Sequence, residues 1–206
     1  MLQRITSLLI ASTLVVTVAC GDDGSDSDEG GSSNGGSNAG GDSTGNANGG
    51  GDNTGGTADS GEPASLNGIT AAHNEARANV DPPAASPIPP LEWSDDLAAV
   101  AQAYAEQCVF EHSGGEYGEN LYANTGSTTP QEVVSGWVSE VADYDYASNE
   151  CSGVCGHYTQ VVWADSLRLG CGVATCNENS PFGDGPWQNW VCNYDPPGNW
   201  VGEKPY

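Results

Sequence analysis

The chain predicts an α+β sandwich in which helices flank a small, mostly antiparallel sheet. Three observations carry this. Helix-start chemistry stands at Ser94 and again at Thr129. A helical-period apolar run precedes both, beginning near Ser65. Residues 167–176 and 187–194 then read as strands, bounded by turn-forming residues 177–186.

In order, the first helix is expected over residues 65–80. Leu66, Ile69, His73 and Val80 recur near helical spacing there, so His73 lies on the apolar face. Asp81-Pro82-Pro83 ends it, because the residue before a proline is pushed out of the helical region. Residues 87–93 form an extended, proline-rich connection. Ser94 caps a second helix, whose first turn carries Asp95 and Asp96, favoured by the helix dipole. Leu97, Ala101, Tyr104 and Cys108 form its buried stripe, and Ser113-Gly114-Gly115 stops it. The third helix opens on the capping box Thr129-Pro130-Gln131-Glu132, with proline at the first helical position. Val133, Trp137 and Glu140 are four and three apart, which puts Glu140 on the face of a buried tryptophan. No internal repeat is present.

Composition divides the 206 residues into three parts. Residues 1–19 carry Arg4 and then an apolar run, too short for a membrane span and suited to a secretory signal. Val18-Ala19-Cys20-Gly21 resembles the lipobox of bacterial lipoproteins, with Thr17 where an aliphatic residue is usual. Ordinary cleavage after Ala19 also suits Thr17-Val18-Ala19. The chain has seven cysteines. Lipidation of Cys20 removes the odd one and leaves six for three bridges in an oxidising compartment. Residues 20–62 are Gly-, Ser-, Asn- and Asp-rich with no aromatic residue, so they cannot bury enough apolar surface to offset chain entropy. They read as a disordered tether. Residues 63–206 hold all six tryptophans and all eight tyrosines, enough for one globular domain. Formal net charge is −24, and the domain's only basic residues are Arg77, Arg168 and Lys204. That balance argues against nucleic acid and anionic membrane surfaces as partners. Cys151-Ser152-Gly153-Val154-Cys155 reads as a short disulfide loop rather than half a metal site.

Two long segments say more. Gly156-His157-Tyr158-Thr159-Gln160-Val161-Val162-Trp163 and the run Cys192-Asn193-Tyr194-Asp195-Pro196-Pro197-Gly198-Asn199-Trp200 resemble the two signatures of the CAP superfamily. That superfamily comprises the cysteine-rich secretory, antigen-five and pathogenesis-related-one (SCP-domain) proteins. The likeness is greatest to the pathogenesis-related branch and covers residues 63–206. It implies a three-layer α–β–α sandwich and a cleft lined by four residues. These fall on His73, on Glu119 within Gly118-Glu119-Asn120-Leu121-Tyr122, on Glu140 within Trp137-Val138-Ser139-Glu140, and on His157. It also implies the pairings Cys108–Cys176, Cys151–Cys155 and Cys171–Cys192. Carboxylates on half-buried faces are costly unless paired or metal-bound, and two imidazoles can do either service. A divalent metal, zinc above all, is therefore expected on His73 and His157, with Glu119 and Glu140 nearby. His112 lies outside this set and reads as a helix-end residue meeting the last carbonyls.

Four functions follow as expectations. The first is an exported or surface-tethered binding module for a small apolar ligand, a sterol or lipid, held to a membrane through a lipid anchor on Cys20. The second is a hydrolase using Glu119 and Glu140 as acid and base, or a metal-activated water. Residues 63–206 carry no Gly-x-Ser-x-Gly nucleophile motif to support a third chemistry. The remaining two are a peptide precursor, because residues 196–206 resemble the C-terminal signalling peptide of plant members, and a structural surface-display protein.

Overall fold

The computed structural model describes residues 61–206 and the backbone of a short strand, β1, at Val16–Val18. The expected lipid acceptor Cys20, the rest of the signal segment and the tether up to residue 60 lie outside the described residues. Gly61 and Glu62 belong to the fold, ahead of the expected boundary at Pro63. The Glu62 carboxylate accepts from the amides of Gly68 (2.7 Å) and Thr70 (2.8 Å), capping the first helix with a negative charge.

That helix is shorter than its apolar period suggested. A 3-10 turn spans Ala64–Leu66, and α1 begins only at Ile69 and ends at Ala78. Gly68 separates them at φ 90°, a conformation that interrupts a helix and suits glycine. β2 (Glu92–Trp93) leads into α2 (Asp95–Ala105), where Ser94 Oγ accepts from Leu97 N as expected. The buried stripe of α2 is Leu97, Ala101 and Ala105. The helix stops well before the glycines at 114–115, because Cys108 turns to φ 55° and leaves the helical path. β3 (Gly118–Asn124) follows, then α3 (Pro130–Val138), which opens on the full reciprocal capping box between Thr129 and Glu132. A 3-10 turn over Ser139–Asp143 carries Glu140. The hairpin β4 (Tyr144–Asp145) and β5 (Glu150–Cys151) leads to the short helix α4 (Gly156–Val161). The long strands β6 (Arg168–Cys176) and β7 (Trp187–Asp195) match their expected limits to within one residue.

The main sheet runs β1-β3-β7-β6-β2, antiparallel throughout except for the β2–β6 pair. Side-chain alternation divides its two faces. Tyr122, Leu169, Cys171, Trp190, Cys192 and Tyr194 join Ile69, Val133, Trp137, Tyr158 and Val161 in one core. Leu121 and Val191 pack with Ala101 and Ala105 of α2 in another. The α2 layer lies very close on β6. A Cβ at Gly170 would stand 2.1 Å from Ala98 N, and one at Gly172 would stand 2.3 Å from the Gln102 Cα. Only glycine permits that approach. Disulfides join Cys108 to Cys176, Cys171 to Cys192 across β6 and β7, and Cys151 to Cys155 ahead of α4. These are the pairings the family resemblance implies. Among the described residues no helix is long and apolar enough to cross a membrane.

Candidate functional site

Two of the four site residues pack on Trp137, and a third, Glu140, joins them through His157. The indole is fully buried, donates from Nε1 to the Leu121 carbonyl (3.0 Å), and packs against both histidines. His157 stacks on it at 6.4 Å between centroids and His73 tilts against it at 5.9 Å. α1 delivers His73, α4 delivers His157, and the 3-10 turn after α3 delivers Glu140.

Hydrogen-bond roles follow from donor and acceptor chemistry. His73 Nδ1 lies 2.8 Å from the Ile69 carbonyl, which can only accept, so Nδ1 carries the proton. Nε2 of the neutral ring then accepts from the Tyr194 hydroxyl at 2.8 Å. Tyr194 oxygen in turn accepts from Asn120 Nδ2 (3.1 Å), whose amide also donates to the His157 carbonyl (3.1 Å). Burial is the main reason that the His73 pKa falls to about 4; Arg77 pushes the same way, while the Ile69 hydrogen bond opposes it. The Glu140 carboxylate receives His157 Nδ1 (2.7 Å) and the amides of His157 (2.9 Å) and Tyr158 (3.3 Å). It thereby holds both the His157 ring and the start of α4.

Glu119 faces a different partner. It binds His112 Nδ1 (2.8 Å) and the Ser113 amide (2.9 Å). Burial raises its pKa, but the hydrogen bonds from His112 and Ser113 outweigh that and hold it below the ordinary carboxylate value. His112 therefore does not meet the end of α2, which stops at Ala105; it pairs with a site glutamate instead. Sequence reasoning missed it, along with Tyr194 and Asn120. The Tyr194 and Asn120 pairings cross the fold, and His112 meets Glu119 only seven residues on through a loop with no regular period to announce it. Arg77 was also missed as a structural centre. Fully buried, it donates to the carbonyls of Pro89, Val161, Trp163 and Ser166. It so ties the proline-rich connection before β2 to the end of the Gly156–Trp163 signature.

The expected zinc pair of imidazoles is tested by these contacts. His73 has both nitrogens engaged, so it could ligate only if Tyr194 turned away. His157 Nε2 is buried with no hydrogen-bond partner, and so is Asn120 Oδ1. One nitrogen is thus open, not two. Among the described residues no group of three or more His, Cys, Asp or Glu is arranged to hold a metal.

Beside this closed cluster lies an open cleft of about 270 Å³. Cys155 and Gly156, just ahead of His157, line it together with Tyr144, Trp163, Trp200 and Glu203. None of the four expected site residues lines it. Two asparagines hold its walls. Asn199 donates to the Gly156 carbonyl (2.9 Å) and accepts from Thr159 Oγ1 (2.7 Å). Asn149 accepts from Tyr144 (2.7 Å) and donates to the Glu203 carbonyl (3.0 Å). The rim is apolar and exposed: Trp200 is 57% accessible and Val154 39%, and Val201, next to Trp200 in the chain, is 79%. Val154 and Trp200 thus leave apolar surface open beside the cleft.

Comparison with known proteins places the chain among relatives of one family. Residues 70–194 match the family model described as CAP, cysteine-rich secretory protein family. Pathogenesis-related protein 1 of Arabidopsis thaliana is 48% identical over 138 residues, covering 65% of this chain and 78% of that protein. Pathogenesis-related leaf protein 4 of Solanum lycopersicum is 49% identical over 142 residues, covering 66% and 80%. The solved structure of Schistosoma mansoni venom allergen-like protein 4 superposes with a TM-score of 0.56 at 26% identity, over 70% of this chain and 95% of that one.

Proposed function

The chain belongs to the cysteine-rich secretory protein (CAP) family, and from that premise we propose that it is an exported binding protein for a small apolar ligand, a sterol or lipid. The observation that carries the reading is the cleft with Trp200 exposed at its mouth, beside a signature cluster whose polar groups are mostly engaged with one another. The cluster braces α4 and β7; the cleft meets the ligand. Residues 1–19 direct export, Cys20 accepts a lipid, and residues 20–62 tether the domain. Native mass spectrometry of the full chain incubated with a sterol tests the binding. A one-to-one adduct that Trp200→Ala removes and His73→Gln retains supports it; an adduct indifferent to Trp200 contradicts it. Replacing Cys20 with Ser should move the protein from membrane to soluble fractions.

A second reading is favoured by one atom. The unpartnered Nε2 of His157, with Asn120 Oδ1 also unsatisfied, offers a divalent metal a foothold. Calorimetric titration of zinc should then give an isotherm that His157→Ala abolishes. If His157→Ala binds zinc as the native chain does, this reading fails.

A further inference from the structure

We propose that the cleft selects a cationic amphiphile, with an apolar chain or ring against Trp200 and an ammonium group at Glu203. The inference rests on the binding reading above and adds the charge of the ligand to it.

The lining sets the argument. Tyr144, Val154, Trp163, Trp200 and Pro205 supply apolar surface. Glu203 is the single charged residue among those that line the cleft. Lys204 follows it in the chain but is turned elsewhere: its Nζ sits 4.4 Å over the Tyr146 ring and donates to the Ala147 carbonyl at 3.4 Å. The lining therefore contains no cation to receive a carboxylate or phosphate head.

The surroundings push the same way. A second cleft of about 290 Å³ shares Tyr144 and Cys151 with the first as its wall, and Asp143, Asp145 and Glu150 line it. An anionic head would face Glu203 with these carboxylates behind it, on a chain of net charge −24. An uncharged head avoids the repulsion and gains nothing from the charges. An ammonium gains from Glu203 and from the faces of Trp200 and Tyr144, because aromatic rings attract cations. Charge complementarity of this kind decides selectivity more than raw affinity. For half-exposed charges the ammonium should bind about five- to tenfold more tightly than the alcohol at low salt.

The test compares dodecylamine, dodecanol and dodecanoate binding to the full chain at neutral pH by tryptophan fluorescence, below the micelle concentrations of the two ions and the solubility limit of the alcohol. The expected order is amine, then alcohol, then carboxylate, with the amine's advantage shrinking as salt is raised. Glu203→Gln should remove most of that advantage, and Trp200→Ala should weaken all three ligands. Glu106→Gln, at the exposed cap just after α2, changes net charge equally and should leave the order intact. Equal binding of the three, or tightest binding of dodecanoate, overturns the charge selection and leaves the binding reading standing. An equal loss in Glu106→Gln and Glu203→Gln overturns it too, since net charge alone would then explain the preference. Binding by none of the three, with no sterol adduct either, overturns the binding reading itself.

Discussion

The His73–Trp137–His157 cluster and the Trp200 cleft meet at α4, yet their residues live under opposite conditions. In the cluster both imidazoles are fully buried and Glu140 is 7% exposed, and its hydrogen bonds point inward. In the cleft the asparagines hold the walls while Trp200 and Glu203 face solvent. Residues with the most reactive chemistry are the ones holding the frame, and an indole and a carboxylate with ordinary chemistry face the solvent. Chemical character alone does not locate a binding surface; the hydrogen-bond inventory does.

The contrast breaks most sharply at Glu140. Glu140→Ala leaves the His157 ring and two amides without their acceptor in a buried site, and should cost about 3–5 kcal/mol of unfolding free energy. Urea unfolding measures it, and a loss below about 1 kcal/mol would mean that the cluster is not a brace.

Acid should strain the cluster next. Folded His73 takes up its proton only near pH 4, whereas an unfolded histidine does so near about 6.5. Between those values the unfolded chain binds the proton and the folded chain does not. Stability present above about pH 6.5 is therefore lost as the pH falls toward 4, by roughly 3 kcal/mol from this residue. Glu119 acts in the same direction lower down: its contribution is present above an unfolded value of about 4.3 and lost as the pH falls through its depressed folded value. Unfolding followed across pH 7 to 4 in the native chain and in His73→Gln should show a flatter slope in the variant.

Disulfides give a graded effect, comparable for the long bridge and smaller for the short one. Cys108–Cys176 closes a separation of 68 residues and should contribute about 4 kcal/mol by chain entropy; Cys151–Cys155 closes four and should contribute about 2. Paired serine variants compared by thermal unfolding check the ranking. Trp200→Ala should do least to the fold, within about 0.5 kcal/mol, while removing ligand binding.

Much of this was legible beforehand. The capping box at Thr129, the Ser94 cap and the turn-forming residues between β6 and β7 are local signals, and each landed within a residue or two. β3 was not read as a strand, because Gly-Glu-Asn-Leu-Tyr-Ala-Asn mixes charged, amide and apolar residues that only burial on both faces reconciles. α4 was missed since six residues make too short a period to detect. At the site, resemblance placed His73, Glu119, Glu140 and His157, but not their partners. The His73–Tyr194 bond spans 121 residues and the Asn120–Tyr194 bond 74. Separation on that scale is a property of the fold, invisible to spacing.

The central claim is that ligand meets the open cleft and the signature cluster holds it in place. Indole N–H signals of the full chain, followed by NMR during titration with dodecylamine, test it directly, since Trp163 and Trp200 line the cleft and Trp137 sits among the histidines. The account predicts that the Trp200 and Trp163 signals shift with ligand while the Trp137 signal stays in place. A shift of Trp137 with Trp200 unmoved would contradict it.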